Sequence, residues 1–417
     1  MRLSRRTFLG AALAAGVSQD VAGARLGSAA TPRGSADVER SAGDTVQHAG
    51  GDGHDPWIEV DAGALARNVA TVTSLARRPI LAVAKNNAYG LGIDVAASIL
   101  EPMPEVAGFA VVRASEAHAL RDAGVRKPVL LMARVTEAET ADLVRRDVEL
   151  CVAADDDPPR LSAAARASGR IVPVHFYVDT GMSRMGVPYH RAPGVARALA
   201  SSDGLRLAGT FMAFTEEPDF DREQLDRFTS LIAELRGEGI EPGRLHAASS
   251  NAVFHLPDAH LDAVRPGIAL YGAYPSRPDE ERAIAELRPA FRLCARVVRV
   301  ERLREGDTVS YGRRYVAERP VWIATLPAGH ADGYPRAAVE GARVLIGNRL
   351  YPVIGAVSAS HTIIEVGPDR TVSPGDVATL IGPDHEAIRP NAIATAIGVS
   401  VYDLLMHLNP LLPRVVV

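Results

Sequence analysis

From residue 79 to residue 249 the chain repeats one pattern, a short and almost continuously apolar run followed by a stretch with helical spacing. The runs are Pro79 to Ala84, GFAVV (108–112), PVLLMA (128–133), VELCVA (148–153), VPVHFYV (172–178), LAGTFMAF (207–214) and RLHAAS (244–249), with segments such as SEAHALRDAG between them. A strand that is apolar at every position is covered on both faces, which is the situation of parallel strands joined by helical crossovers. Ile58-Glu59-Val60, followed by a helical stretch over 62–76, opens the series, and the region around residues 95–100 also reads as helix. Such repetition fits a doubly wound sheet or a closed (β/α)8 TIM-like barrel. The barrel is favoured, because residues capable of chemistry recur just after successive strands, where parallel barrels gather their active sites.

Beyond about residue 287 the texture changes. FRLCARVVRVERL, VWIATLPA, ARVLIG, YPVIGAV, HTIIEVG and VATLIG are short runs cut by Gly, Pro and Asp turns, with little helical period before the C-terminus. This predicts a second, all-β domain. The charged stretch 276–287 is the expected boundary, with the barrel over 56–286 and the β domain over 287–417.

The first residues stand apart from both. Ser4-Arg5-Arg6-Thr7-Phe8-Leu9, the mildly apolar GAALAAGV and the small-residue site Ala22-Gly23-Ala24 resemble a twin-arginine export signal over 1–24. Residues 25–55 are rich in Ser, Gly, Ala, Asp and Thr without apolar period, and read as a disordered linker. The mature chain is therefore expected outside the cytoplasm, periplasmic or extracellular, and no later segment approaches the length of a membrane span. A net charge of −4 and a pI near 6.3 give no electrostatic footprint for nucleic acid or an anionic membrane. The two cysteines, Cys151 and Cys294, lie in apolar runs without CxxC or Cys/His spacing, so a disulfide framework and a metal site are not expected.

The first barrel run ends in a lysine, AVAKNNAYGLG. A strand-end lysine usually carries its ammonium to water. The alternative is a lysine held in an apolar site because its amine forms a Schiff base. Tyr89, four residues on, can place a hydroxyl over the same barrel mouth.

AVAKNNAYGLG resembles the pyridoxal-phosphate-binding signature of the alanine racemase family. WIEVDAGALARNV, FAVVRASEAHALRDAG, DTGMSRMGV, AVRPGIALYG, GDTVSYGRRY and ADGYPR follow the family's order from Trp57 to the C-terminus. The resemblance implies a fold-type III barrel plus β domain, pyridoxal 5'-phosphate as cofactor, an amino-acid substrate and a homodimer with shared sites. It implies that Lys85 is the Schiff-base lysine and one of two bases, and that Tyr311 from the partner subunit is the other. A racemase needs a proton-transfer group on each face of the α-carbon. By the same resemblance Arg265 faces the pyridine nitrogen and, being unable to give up its proton, keeps that nitrogen unprotonated. Gly267 and Ile268 offer backbone N–H groups to the phosphate, joined by the hydroxyls of Tyr89, Ser250 and Tyr402. Arg184 contacts the cofactor's phenolate oxygen and the substrate carboxylate.

The chain departs from the family at several places. Tyr177 stands where a lysine, often carbamylated, is common. Ala213 in TFMAFT stands for the histidine of THFA, and Ser249 for an asparagine, while His246 and Ser250 are kept. The C/S-M-D-Q segment reads Ser358-Ala359-Ser360-His361, where Ala359 keeps the N–H that helps hold the substrate carboxylate but removes a bulky side chain. His330 stands for a tyrosine at the site's mouth. These changes lie on the substrate side, so the expected reaction is interconversion of L- and D-amino acids, alanine or a broader, larger set. Two competing readings are a cofactor-binding homologue without turnover and a fold-related basic amino-acid decarboxylase. The second uses an acid at the pyridine nitrogen, and Arg265 argues against it.

Overall fold

The computed structural model describes residue 53 and residues 55–417. The expected signal and linker therefore lie outside the described residues, apart from Gly53 and Asp55. Seven parallel strands follow one another in order: Ile80–Val83, Val106–Val111, Val129–Leu131, Val148–Val152, Val172–Asp179, Leu205–Phe211 and Arg244–His246. Ala263 bridges to His246 and Val264 to Ile80, both in parallel, so this short segment closes the sheet into a barrel as its eighth stave. Hydrogen bonds from Leu81 N to Val264 O (2.8 Å) and from Val83 N to Pro266 O (3.0 Å) seal that seam. The strands are apolar throughout because both faces are buried: Ile80–Val83 and Val129–Leu131 are covered at every position. Each such aliphatic side chain contributes about 1.5–3 kcal/mol by leaving water.

The second sheet has nine strands. In spatial order they are Arg299–Leu303, Val321–Leu326, Thr362–Gly367, Arg349–Ile354, Arg343–Ile346, Val377–Ile381, Phe291–Arg296, Trp57–Val60 and Arg414–Val416. The strand at Trp57–Val60 corrects the expected domain boundary. It pairs with Phe291–Arg296 and Arg414–Val416, so it belongs to the β domain and not to a barrel over 56–286. Chemistry on its edge explains the choice. Glu59 is almost fully buried, accepts from Trp57 Nε1 (3.2 Å) and faces Arg292 at 3.9 Å across the Phe291–Arg296 strand. Asp61 then caps the helix Ala62–Ala76, accepting from Ala64 N, and carries the chain back to the barrel. Both cysteines are buried and free. No helix among the described residues is long and apolar enough to cross a membrane.

Candidate active site

A cavity of about 580 Å³ opens at the C-terminal ends of the barrel strands. Lys85, Arg184, Arg265 and Gly267 line it together with Tyr89, Ser250, Tyr177, Ala213 and Glu216, and Tyr402 reaches in from the helix Val401–Met406. The chain has two lysines, Lys85 and Lys127. Lys127 gives its ammonium to the Met103 carbonyl (2.6 Å), so only Lys85 serves the cavity. Burial lowers the Lys85 amine below the ordinary lysine range, and the nearby Arg184 charge lowers it further, against the opposing pull of Glu116 and Glu216.

The backbone beyond Lys85 is unusual. Asn86, Asn87, Ala88 and Tyr89 all have φ between 51° and 56°, a left-handed turn that Gly90 continues at φ 87°. Left-handed backbone costs an L-residue about 1–2 kcal/mol, and only asparagine and glycine visit it readily. Ala88 and Tyr89 are held there by their surroundings. The Glu116 carboxylate takes Asn86 N at 2.6 Å, Asn87 Oδ1 takes Ile93 N at 2.9 Å, and Arg414 Nη2 reaches Gly90 O at 2.8 Å. Asn86 Nδ2 also meets Met406 Sδ at 3.1 Å, which ties the turn to the C-terminal helix. The result points the Lys85 side chain into the cavity and folds the Tyr89 ring back beneath it, 5.9 Å from the lysine nitrogen.

The floor of the cavity is a set of donors around Gly267. A Cβ on Gly267 would lie 2.1 Å from Tyr89 Oη, so only glycine lets that hydroxyl close over the backbone. Ser250 Oγ accepts from Gly267 N (3.0 Å) and Ala269 N (3.3 Å). Ile268 is 1% exposed, and its N–H has no acceptor among the described residues. The Ser249 hydroxyl is likewise buried without a partner. Burial raises the Tyr89 phenol well above its usual range, with Tyr402, Tyr271 and Glu216 adding to the effect, so it stays protonated and can donate. Buried donors left open in this way suit an anion.

Arg265 forms the inner wall. It is 7% exposed, with its guanidinium 5.1 Å from the Phe211 ring, and burial lowers it to about 10. Its Nη2 donates to Met212 O (2.6 Å) and Ala247 O (3.1 Å), and Nη1 faces His246 Nδ1 at 2.7 Å. Burial holds His246 well below its usual range, and the charge of Arg265 and the neighbouring His175 act in the same direction. A neutral His246 beside a guanidinium must accept at Nδ1, so it donates from Nε2 to His175 Nδ1 (2.8 Å). His175 then donates from Nε2 to Glu149 (2.9 Å). Burial tends to raise the Glu149 carboxyl, but the His175 contact together with the nearby Arg206 and Arg244 charges outweighs it and the carboxylate sits low. The relay fixes Arg265 as a pure donor.

Arg184 stands at the mouth. Where the resemblance implies an anionic partner for it, Tyr177 supplies a phenol instead: burial raises its pKa and keeps it protonated, and its hydrogen bond to Arg184 only partly offsets that. Tyr177 stacks on Phe211 at 4.3 Å, which keeps the hydroxyl aimed. Ala213 contributes a methyl group and gives its carbonyl to Gln224 Nε2 (3.2 Å), leaving space beside the inner wall.

Two of the residues singled out in the sequence are elsewhere. Tyr311 is 75% exposed on the β domain, in the turn Tyr311–Arg313 after Ser310, which has φ 62°. Ala359 lies in the loop whose carbonyls hold His330 N and Ala331 N, both at 2.9 Å. Neither lines the Lys85 cavity of its own chain. Glu116, Glu216, His175 and Glu149 were not singled out; Glu116, His175 and Glu149 act through tertiary hydrogen bonds and Glu216 stands on the cavity wall, none of which the local sequence announces.

Two family models match the chain, one described as alanine racemase, N-terminal domain, over residues 60–275, and one as alanine racemase, C-terminal domain, over residues 290–416. The alanine racemase of Carboxydothermus hydrogenoformans is 34% identical over 375 residues, covering 87% of this chain and 99% of that relative. That of Desulfosudis oleivorans is 35% identical over 376 residues, covering 86% and 96%. Among solved structures, the alanine racemase of Clostridium difficile 630 aligns with a TM-score of 0.81 at 27% identity, covering 87% of this chain and 95% of that one. The alanine racemase of Bacillus anthracis with bound L-Ala-P gives 0.80 at 28% identity, covering 88% and 96%.

Proposed function

The chain belongs to the alanine racemase family, and from that premise we propose a pyridoxal-phosphate-dependent amino-acid racemase that uses Lys85 of one subunit and Tyr311 of a second. The observation that carries the reading is the union, in one cavity, of a lysine with a lowered pKa and a floor of unsatisfied buried donors.

The residues fit the cofactor. Ile268 N–H and the hydroxyls of Tyr89, Ser250 and Tyr402 would hold its phosphate, Gly267 N–H would join them from its bond to Ser250 Oγ, and Lys85 would hold its aldehyde carbon. Arg265 would meet the ring nitrogen as a donor that cannot protonate it, so the electron sink stays shallow and side reactions are restrained. When bound, the cofactor withdraws electrons from the substrate's α-carbon and makes its proton acidic enough to move. Arg184, oriented by Tyr177, holds the substrate carboxylate near Lys85. Lys85 Nζ takes or gives the α-proton on one face, and the Tyr311 hydroxyl of the second subunit does so on the other. The exposure of Tyr311, against the burial of Tyr89 and Tyr271, supports a role in a homodimer. Ala213, with Ala359 and His330 brought by that subunit, supports a substrate set wider than alanine. Proton exchange at Cα in deuterated water, followed by chiral chromatography over a panel of amino acids, tests the reading; no exchange with any of them would leave a cofactor-binding homologue without turnover.

Two expectations follow from the site. Capture of added cofactor needs an unprotonated Lys85 amine. Since its pKa is lowered, the rate measured by absorbance should rise with pH to a midpoint below the ordinary lysine value of about 10.4. Arg184→Gln removes one cause of the lowering and should move that midpoint upward. Gly267→Ala should weaken cofactor affinity by about a hundredfold or more in a spectral titration, because the methyl displaces the Tyr89 hydroxyl.

The Arg5-Arg6 signal supports export of the mature chain to the periplasm or beyond. Cell fractionation with N-terminal sequencing checks it, and a cytoplasmic protein beginning at Met1 would overturn it.

A further inference from the structure

Three cations line the cavity, Lys85, Arg184 and Arg265, but only one acid among the described residues, Glu216. The other carboxylates nearby are occupied. Glu116 accepts from Asn86 N, Val112 N and Arg113 N. Asp221 accepts from Thr215 N and Glu216 N, and Asp279 from Ser276 Oγ and His255 Nε2. The Glu216 side chain has no hydrogen-bond or ion-pair partner among the described residues and stands solvent-accessible at the mouth. Burial, with Asp221 and Asp279, raises its carboxyl above the ordinary range against the opposing pull of Lys85 and Arg184, and it lies near enough to Tyr402 to act on that phenol as well.

Its position is fixed. Glu216 has φ 66°, rare for a residue of its size, and its N–H is pinned to Asp221 Oδ1 at 3.1 Å at the start of the loop before the helix Pro218–Gly237. The cavity lining also includes Met132, Met182 and Met185, flexible apolar side chains that accommodate an aliphatic stem. Ala213, with only a methyl group, leaves room in the same cavity. A long aliphatic chain ending in a cation matches a cavity that combines apolar methionines with one unpaired carboxylate, while a methyl group offers nothing for that carboxylate to meet.

We propose that Glu216 is a specificity-determining residue that pairs with the distal ammonium or guanidinium of a basic amino acid held at the Lys85 site. The proposal rests on the racemase reading and names the substrate class it serves. The alternative role for Glu216, a counter-ion for Arg184 alone, would act on the carboxylate common to all substrates and so favour none.

The experiment compares L-lysine with L-norleucine, its uncharged near-isostere, on the purified holoenzyme. Wild type should favour lysine in kcat/KM by about fivefold or more, the scale of a partly exposed ion pair. Glu216→Gln should erase that preference chiefly through the lysine KM, and Glu216→Asp should restore part of it. Calorimetric binding of the same two ligands reads the preference independently of turnover. A wild-type ratio near one, or a ratio unchanged in Glu216→Gln, overturns the proposal. Equal losses for both ligands would overturn it too, assigning Glu216 to Arg184. If calorimetry shows the Glu216-dependent preference while no amino acid is racemised, the racemase reading fails and this one stands.

Discussion

Lys85→Ala is expected to lower racemisation by about four orders of magnitude or more while leaving a folded protein. The side chain makes no hydrogen bond that the fold depends on. The turn around it is held by backbone and neighbouring groups, Asn86 N on Glu116 and Gly90 O on Arg414. Removing a partly buried amine also removes a desolvation cost, so thermal stability should hold or rise slightly. Two functions disappear together, covalent retention of the cofactor and proton transfer on one face. Borohydride treatment of wild type should fix the cofactor on the peptide containing Lys85, since the only other lysine, Lys127, is committed to Met103 O. In Lys85→Ala the label should vanish. Lys85→Arg should be equally inactive, because it keeps the charge and supplies no amine that can lose its proton. A label that persists at Lys127, or activity within tenfold of wild type, would remove Lys85 from the centre of the mechanism.

The chemistry of this site was far more legible in the sequence than its geometry. Continuous apolar runs announce strands covered on both faces, and the barrel follows from them because the property is local. The eighth stave escaped because Ala263 and Val264 make only two bridges, too short a run to show a period. Trp57–Val60 was placed in the wrong sheet because strand pairing is decided far away, by Arg414–Val416 at the opposite end of the chain. Lys85, Tyr89, Arg184, Ser250, Arg265, Gly267 and Tyr402, singled out by motif, line one cavity. The left-handed turn between Lys85 and Gly90 is half-written: the two asparagines and the glycine tolerate it, whereas Ala88 and Tyr89 obey tertiary contacts. Tyr177 takes the orienting role for Arg184 with a hydroxyl instead of a charge, which only the position of its ring against Phe211 could show. Glu216 was silent, since a glutamate in a polar loop reads as solvated until the cavity is seen to end there.

Tyr311→Phe should leave cofactor binding and its near-visible absorbance intact and reduce racemisation by about two to four orders of magnitude, the usual worth of a general acid–base group. The equilibrium constant between enantiomers is unity, so kcat/KM must fall equally in both directions. The asymmetry appears instead in proton exchange. The enantiomer served by Lys85 should still exchange its α-proton with deuterated water, without inversion, while the other does so slowly or not at all. Loss of exchange from both enantiomers would mean that Tyr311 shapes the site and transfers no proton. Subunit mixing decides where it acts. A Lys85→Ala protomer keeps Tyr311, and a Tyr311→Phe protomer keeps Lys85. If each site joins Lys85 of one subunit to Tyr311 of the other, a mixed dimer contains one intact site and one doubly defective one. Equal amounts of the two inactive variants, dissociated and reassociated at random, should then recover about one quarter of wild-type activity per chain. A site built within a single chain would recover none, because each chain carries its own defect. The exposure of Tyr311, 75% in a residue type more often covered, is what makes recovery the expected result.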